Sequence, residues 1–241
     1  MFIFTQTLDA AIIDLDGTMV DTMGDFVVAI NLMLRDLGYP AVDRAVVALR
    51  VGKGSENLVK SVLNHAVSQS IREQEALENI ANFDCALDLY RQHYRTINGQ
   101  YAQVYPGVVD GLQALQRSGL KLACLTNKPV GFARELLRLK GLDGFFSQVF
   151  GGDSFAAKKP AALPVLETCK ALHTLPARTL MVGDSSNDAQ AARAAGCPVL
   201  LVTYGYNHGE PIRSSDADGY FESLVDIDQQ TLKTVCRAAH L

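Results

Sequence analysis

Residues 11–22 read AIIDLDGTMVDT, in which a short apolar run is followed by the acidic residues Asp14, Asp16 and Asp21. An apolar run that ends in polar residues and Gly17 is typical of a buried strand leading into a loop. Ligands of an open parallel sheet bind outside the carboxyl ends of its strands, so acids at such an end are candidates for a functional site. The stretch therefore predicts a buried strand together with the position of a site.

Three further apolar runs share this pattern, and segments with helical periodicity separate them: KLACLTN (121–127), TLMVGD (179–184) and VLLVTYG (199–205). Alternating strands and helices predict an α/β fold with a doubly wound parallel sheet. Residues 21–98 break the alternation, because they contain helix-like segments and no convincing strand. We therefore expect an α/β core formed by residues 1–20 and 99–241, with residues 21–98 inserted as a helical domain.

The composition limits the class of partner. The chain has 241 residues, of which 48% are hydrophobic, with 22 basic and 26 acidic residues. It can bury a sizeable core, and no basic stripe favours nucleic acid or a membrane surface. The amino terminus lacks the charge pattern of a secretory signal, and no apolar run reaches membrane-spanning length. The five cysteines form no CxxC pair, which favours a cytoplasmic protein with reduced thiols. The lack of a basic run favours a small-molecule partner. We expect a monomer or homodimer.

Polar residues end several of the apolar runs and are expected to share one site. Asp14 and Asp16 follow the first run, Thr126 the second, and Asp184 the third, with Asp188 four residues further on. Helix N-capping is the alternative for each residue taken alone. Capping does not explain a second carboxylate two residues later, and clustered acids repel one another unless a cation or a proton offsets them. Hard oxygen ligands favour Mg²⁺, and Mg²⁺ beside a carboxylate nucleophile suits phosphoryl transfer.

Four motifs at these positions resemble, in order, those of the haloacid dehalogenase superfamily of phosphatases: DLDGT (14–18), LTN (125–127), KKP (158–160) and GDSSND (183–188). The resemblance covers nearly the whole chain. It implies a Rossmann-like core in which the helical insertion takes the place of the family's C1 cap. It also implies a phosphatase that hydrolyses a small phosphomonoester through an aspartyl-phosphate, with Mg²⁺ as cofactor.

The resemblance implies catalytic roles for individual residues. Asp14 resembles the nucleophile, and Asp16 resembles the general acid and base. Thr126 resembles the hydroxyl that holds the phosphoryl group. Lys159 resembles the lysine that neutralises nucleophile and phosphate, and Lys158 beside it competes for that role.

The resemblance also implies binding roles. Thr18 and Asn127 are expected to contact the substrate, Asn127 by assisting the threonine of its motif. Asp16 is expected to reach the metal through its backbone carbonyl. The expected metal-binding set is Asp14, Asp16, Asp184 and Asp188.

The stretch LRVGKGSENLV in the insertion resembles the substrate-specificity loop of the family's cap. Gly52 and Gly54 let the backbone approach a ligand closely. Arg50 or Lys53 is available for a substrate carboxylate, and a helix that begins after Gly54 would add amide donors. The alternative is a capped helix start with a solvated lysine.

Two stretches, GGDSFAAKKP and TYGYNHGEPI, resemble the phosphoglycolate phosphatases of this superfamily and predict 2-phosphoglycolate as substrate. Another phosphorylated metabolite stays open, as does an ordinary glycine-containing loop for the second stretch. The runner-up is a sugar phosphomutase resembling beta-phosphoglucomutase, which has an acidic residue where this chain has Gly183. A third hypothesis is a binding protein that keeps the fold without the chemistry, and the complete set of motif acids and lysine disfavours it.

Overall fold

The computed structural model describes residues 7–68, 83–227 and 230–232. Short 3₁₀ helices lie at Asp143–Phe145, Pro176–Arg178, Ile212–Ser214 and Leu224–Asp226. The described α-helices and strands follow one another in this order: β1 (Ala10–Ile13), β2 (Val20–Asp21), α1 (Met23–Asp36), α2 (Arg44–Ala48), α3 (Ser55–Ser68), α4 (Phe83–Ile97), β3 (Gln103–Val104), α5 (Val108–Arg117), β4 (Lys121–Leu125), α6 (Val130–Leu139), β5 (Gln148–Phe150), α7 (Leu163–Ala171), β6 (Thr179–Gly183), α8 (Ser186–Ala195), β7 (Val199–Val202) and β8 (Gly219–Phe221). The predicted helical stretch IREQEALENIAN, which precedes α4, lies outside the described residues.

Six strands form one parallel sheet in the order β5-β4-β1-β6-β7-β8. In the central strand β1, Ile13 is level with Cys124 of β4 and with Val182 of β6. The chain fills the sheet from β1 through β4 to β5 and then crosses to β6 on the other side, so the strand order reverses beside β1. This topology confirms the predicted α/β fold with a doubly wound parallel sheet.

The central strand is buried on both faces. Ala11 and Ile13 belong to the apolar cluster under α5 and α6, whereas Ala10 and Ile12 belong to the cluster under α7 and α8. All four residues have no exposed surface. Because helices cover both faces of a parallel sheet, polar side chains first become possible where the strand ends. The fold therefore directs the polar residues to one edge of the sheet.

The edge strands β5 and β8 were not predicted from the sequence. Each contains three residues, and all six positions are only partly buried. A three-residue segment is too short to show an apolar run or a clear alternation. Tertiary pairing with β4 and β7 therefore defines these strands.

Helices α1, α3 and α4 enclose a separate apolar cluster whose buried members all lie between Met23 and Ile97. Tyr90 and Tyr94 of α4 are among its largest fully buried side chains. We call this helical part the cap. The boundaries at 20/21 and 98/99 stay a prediction.

Strands β2 and β3 pair antiparallel and join the two connections between core and cap, which we call the hinge. The Asp25 side chain has no exposed surface and accepts hydrogen bonds of 2.7 Å from the backbone N–H groups of Gly99 and Tyr101. The chain entering the cap is thus bound to the chain leaving it. No strand was expected within 21–98, because the two-residue pairing of β2 leaves no sequence pattern.

Four cysteines of the described part carry free thiols, namely Cys85, Cys124, Cys169 and Cys197, whereas Cys236 lies outside it. Within the same ranges, no helix combines the length and apolar character needed to cross a membrane.

Candidate active site

The carboxyl ends of β1, β4 and β6 form the floor of a cleft below the cap. Asp14, Thr126 and Asp184 stand at these three strand ends, and each is less than one tenth exposed. Most of the predicted site residues line this same cleft, namely Asp14, Asp16, Gly54, Thr126, Asn127, Lys159, Asp184 and Asp188. Thr18 lies beside them and donates a hydrogen bond of 2.8 Å from Oγ1 to Asp184 Oδ1.

Three carboxylates form a buried acidic cluster. Asp14, Asp184 and Asp188 each offer one oxygen, and these oxygens lie within 4.8 Å of one another. Asp14 Oδ1 is buried and makes no directed hydrogen bond, although Lys159 Nζ lies 2.8 Å away. Buried oxygen donors with too few hydrogen-bond partners fit a hard divalent cation. The side chain of Asp16 is not part of this cluster, and the expected use of its backbone carbonyl stays a prediction.

The structure distinguishes the two adjacent lysines. Lys159 Nζ lies 2.8 Å from Asp14 Oδ1 and 2.6 Å from Asp188 Oδ1. It also donates to the Leu125 carbonyl at 2.8 Å. Lys158 is partly exposed, and its Nζ lies outside the cluster, 3.1 Å from Glu56 Oε2 of the cap. Lys159 is therefore the lysine that the fold places among the acids.

The protonation equilibria of the cluster are shifted by burial and by mutual charge. Burial raises the pKa of Asp14 to about 6, while Lys159 opposes the shift and Asp188 adds to it. Burial, followed by the charges of Asp14 and Asp188, also raises the pKa of Asp184. Burial alone would lower the pKa of Lys159, but the two carboxylates beside it raise its pKa overall. The cluster thus combines one protonated lysine with three acids. An added cation would reduce the repulsion between the carboxylates.

Asp188 is both a helix-capping residue and a member of the acidic cluster. Its Oδ2 accepts hydrogen bonds from the Ser185 hydroxyl at 2.7 Å and from the Ser185 N–H at 3.1 Å, at the start of α8. Its Oδ1 meets Lys159. The capping alternative therefore accounts for one oxygen of Asp188, while the other belongs to the charge cluster. Asp184 accepts instead from Thr18 and from the backbone N–H of Tyr206.

The loop after β7 connects the acidic cluster to the hinge. The Tyr206 N–H donates a hydrogen bond of 2.6 Å to Asp184 Oδ2. The Tyr206 hydroxyl donates to the Asp21 carboxylate and accepts from the N–H groups of Thr22 at 3.0 Å and Met23 at 3.1 Å. An ordinary glycine-containing loop was one of the two interpretations of this stretch in the sequence. In the structure the loop contacts both the acidic cluster and the hinge.

Two asparagines of the core bind one carbonyl of the cap loop. The Nδ2 atoms of Asn127 and Asn187 lie 3.0 and 3.1 Å from the Gly52 oxygen. A Cβ atom at Gly52 would lie 2.7 Å from the His208 ring, and the φ of +106° also favours glycine. Asn127 additionally holds the backbone N–H and carbonyl of Lys159. Its side chain therefore positions the surrounding loops.

The charged cap residues occupy other places than the sequence suggested. Arg50 donates to the carbonyl oxygens of Val46 at 2.6 Å and Ser61 at 3.3 Å. Lys53 is exposed. Neither side chain is among the described residues that line the cleft, and the expected binding of a substrate carboxylate by Arg50 or Lys53 stays a prediction.

Lys128 is a charged cleft residue that the sequence reasoning missed, as it missed Asn187. Its Nζ lies 2.8 Å from Oδ1 and 3.0 Å from Oδ2 of Asp16. Its side chain is only 3% exposed. The available signal was its position directly after the LTN motif, at the end of a strand that already supplied Thr126.

Comparisons with known proteins agree with this geometry. Residues 11–202 match the family described as haloacid dehalogenase-like hydrolase. A phosphoglycolate phosphatase from Thiobacillus denitrificans is 40% identical over 92% of this chain and 95% of its own length. A plasmid phosphoglycolate phosphatase from Cupriavidus necator is 43% identical over 89% of each chain.

A solved structure from Haemophilus somnus, described as a predicted phosphoglycolate phosphatase, superposes with a TM-score of 0.84 and 32% identity. The match covers 94% of this chain and 98% of that one. The strand order, the residues at the strand ends and these similarities agree. The chain belongs to the haloacid dehalogenase-like hydrolase family.

Proposed function

We propose that the protein is a Mg²⁺-dependent phosphatase that hydrolyses 2-phosphoglycolate to glycolate and phosphate through an aspartyl-phosphate. The observation that carries the proposal is Asp14, a buried carboxylate at the end of β1 that faces the cleft between Lys159 and the other two acids. Relatives called phosphoglycolate phosphatase match about nine tenths of the chain, which supports the substrate. A cytoplasmic location and a monomeric or homodimeric state stay predictions.

In the first step, a carboxylate oxygen of Asp14 attacks phosphorus as the bond from phosphorus to the glycolate oxygen breaks. Asp16 donates the proton that the departing oxygen needs. Lys159 faces the charge on nucleophile and phosphoryl group, and the Thr126 hydroxyl holds a phosphoryl oxygen. The products of this step are glycolate and phosphorylated Asp14.

In the second step, Asp16 accepts a proton from a water molecule whose oxygen attacks the phosphorus of phosphorylated Asp14. The bond between phosphorus and the Asp14 oxygen breaks, which releases phosphate and regenerates both carboxyl groups. Asp16 thus acts first as an acid and then as a base. Its place in the lining of the same cleft as Asp14 supports this use.

Asp14, Asp184 and Asp188 would hold Mg²⁺, with Asp16 adding its backbone carbonyl. When bound, the ion supplies positive charge beside the phosphoryl oxygens. The all-oxygen donor set supports Mg²⁺ over softer metals, because no cysteine or histidine belongs to the described acidic cluster.

The cleft supports a small substrate. Cap side chains such as Phe26, Tyr90 and Tyr94 line it together with the residues at the strand ends. A cap that covers the site excludes water from the aspartyl-phosphate until the second step.

The proposed function is tested by measuring phosphate release from a panel of phosphomonoesters, with Mg²⁺ and after exhaustive chelation. We expect 2-phosphoglycolate to have the highest kcat/KM and chelation to abolish turnover. Preferred hydrolysis of hexose phosphates or nucleotides would exclude the proposed substrate. Net isomerisation of a sugar phosphate without phosphate release would exclude the phosphatase assignment.

A further inference from the structure

Lys128 is a buried cation at the meeting point of core and cap. Its ammonium contacts the Asp16 carboxylate from the core side. On the cap side it lies 4.7 Å from the ring centre of Phe26 and 4.8 Å from that of Tyr94. Aromatic faces stabilise a cation without neutralising it, so Asp16 is the only anion among these contacts and the ammonium can meet a second one in the cleft.

The contact between Lys128 and Asp16 defines what this cation can reach. In the proposed reaction, Asp16 protonates the oxygen that leaves phosphorus. In 2-phosphoglycolate one methylene group separates that oxygen from the carboxylate. A cation hydrogen-bonded to the acid that serves the leaving oxygen is therefore close enough to contact this carboxylate.

Lys159, the other cation that lines the described cleft, has no N–H donor left for a substrate carboxylate. Lys159 has three N–H donors, and its Nζ lies within 2.8 Å of three oxygen atoms, those of Asp14, Asp188 and Leu125. Its position among the acids also assigns it to nucleophile and phosphate. Lys128 donates to the two oxygens of one carboxylate, which leaves one of its three N–H donors for another anion.

We propose that Lys128 is the specificity-determining residue of the enzyme and that its ammonium binds the substrate carboxylate beside Asp16. This inference rests on the proposed function. It replaces Arg50 and Lys53 in the role of carboxylate ligand. It also limits the preferred substrates to phosphomonoesters whose acidic group lies about one carbon from the leaving oxygen.

The test compares 2-phosphoglycolate with its carboxamide analogue, which has nearly the same shape without the second negative group. The ratio of their kcat/KM values is measured for wild type, Lys128→Met, Lys128→Arg and Lys158→Met. Loss of the Lys128 contact to Asp16 affects both substrates, so that effect cancels in the ratio. Lys158→Met is the matched control, because it removes a lysine outside the cleft lining.

We expect Lys128→Met to lower the ratio about tenfold to a hundredfold, as the loss of one charge-assisted hydrogen bond predicts. Lys128→Arg should restore part of the ratio, and Lys158→Met should leave it unchanged. Residual turnover of the carboxamide, with an unchanged circular dichroism spectrum, shows that the methionine variant is folded.

An equal loss on both substrates, with brisk wild-type turnover of 2-phosphoglycolate, overturns the role of Lys128 and leaves the proposed function intact. Failure of Lys128→Met to fold while Lys128→Arg folds with the wild-type ratio supports the need for charge at this position. A folded Lys128→Arg variant with the ratio lost overturns it. Wild type that hardly hydrolyses 2-phosphoglycolate overturns both inferences together.

Discussion

Replacing Lys159 by methionine removes the cation of the acidic cluster and nearly preserves the side-chain volume. Asp14 and Asp188, which lie 2.8 and 2.6 Å from the ammonium, then remain buried without it. Removing one partner of a buried ion pair costs about 3–5 kcal/mol. At about 2–4 °C per kcal/mol for a domain of this size, the Tm should fall by about 6–20 °C in chelator.

The loss should depend on pH with a defined sign. The pKa of Asp14 is already raised to about 6 by burial, and Lys159 holds it below the value that burial would give. Without the lysine this pKa rises further, so the folded variant binds protons more tightly than the unfolded chain. Stability then falls as pH rises. The Tm difference between wild type and variant should be larger at pH 8 than at pH 5.

Differential scanning calorimetry in EDTA, with Lys158→Met as control, measures this effect. The Lys158–Glu56 pair is about one third to one half exposed, so its loss should cost about 0–1 kcal/mol. Excess Mg²⁺ should restore part of the Tm of Lys159→Met, because the ion would offset the same carboxylates. A Tm difference below about 2 °C at pH 8, where at least about 6 °C is expected, would refute the reasoning.

The remaining predictions concern the two acids of the first motif. Asp14→Asn should abolish turnover while leaving the circular dichroism spectrum unchanged, and substantial phosphate release would remove Asp14 from the nucleophile role. Asp16→Asn should slow an alkyl phosphate more than an activated aryl phosphate, because a good leaving group departs without a proton; equal losses would contradict the acid role. Mg²⁺ should bind at least about tenfold more weakly at pH 5 than at pH 7, since the ion competes with a proton on Asp14, whose pKa is about 6, and the raised pKa of Asp184 acts in the same direction. Calorimetric titration checks this, and an affinity independent of pH would argue against Asp14 as a ligand.

The sequence predicted the core of this fold because its strands are continuous apolar runs that end in polar residues. β1, β4 and β6 each follow this pattern, and parallel pairing necessarily brings their carboxyl ends to one edge. The sequence alone therefore indicated that Asp14, Thr126 and Asp184 lie close together. The family resemblance then added Lys159, which lies on a loop with no periodic signal of its own.

The cap side of the site could not be predicted in the same way. A basic residue near Gly52 and Gly54 looked available for a ligand, but local sequence does not show which way a long side chain points. Arg50 bends back to carbonyl groups of its own domain. Lys128 was missed because its burial results from packing between core and cap, which involves residues far apart in sequence such as Phe26 and Tyr94.

The contacts of Tyr206 limit which other cap could replace the cap of this protein. One residue binds Asp184 through its backbone and the entrance to the cap through its hydroxyl. A chimaera that replaced residues 21–98 by the cap of a relative would need an acceptor equivalent to Asp21 and two free amides at the same places. A graft that ignored this requirement would remove the cap-side hydrogen bonds of the phenol and loosen the support of Asp184, even if both halves folded correctly. The hinge therefore marks a junction at which the two modules are matched to each other as well as joined.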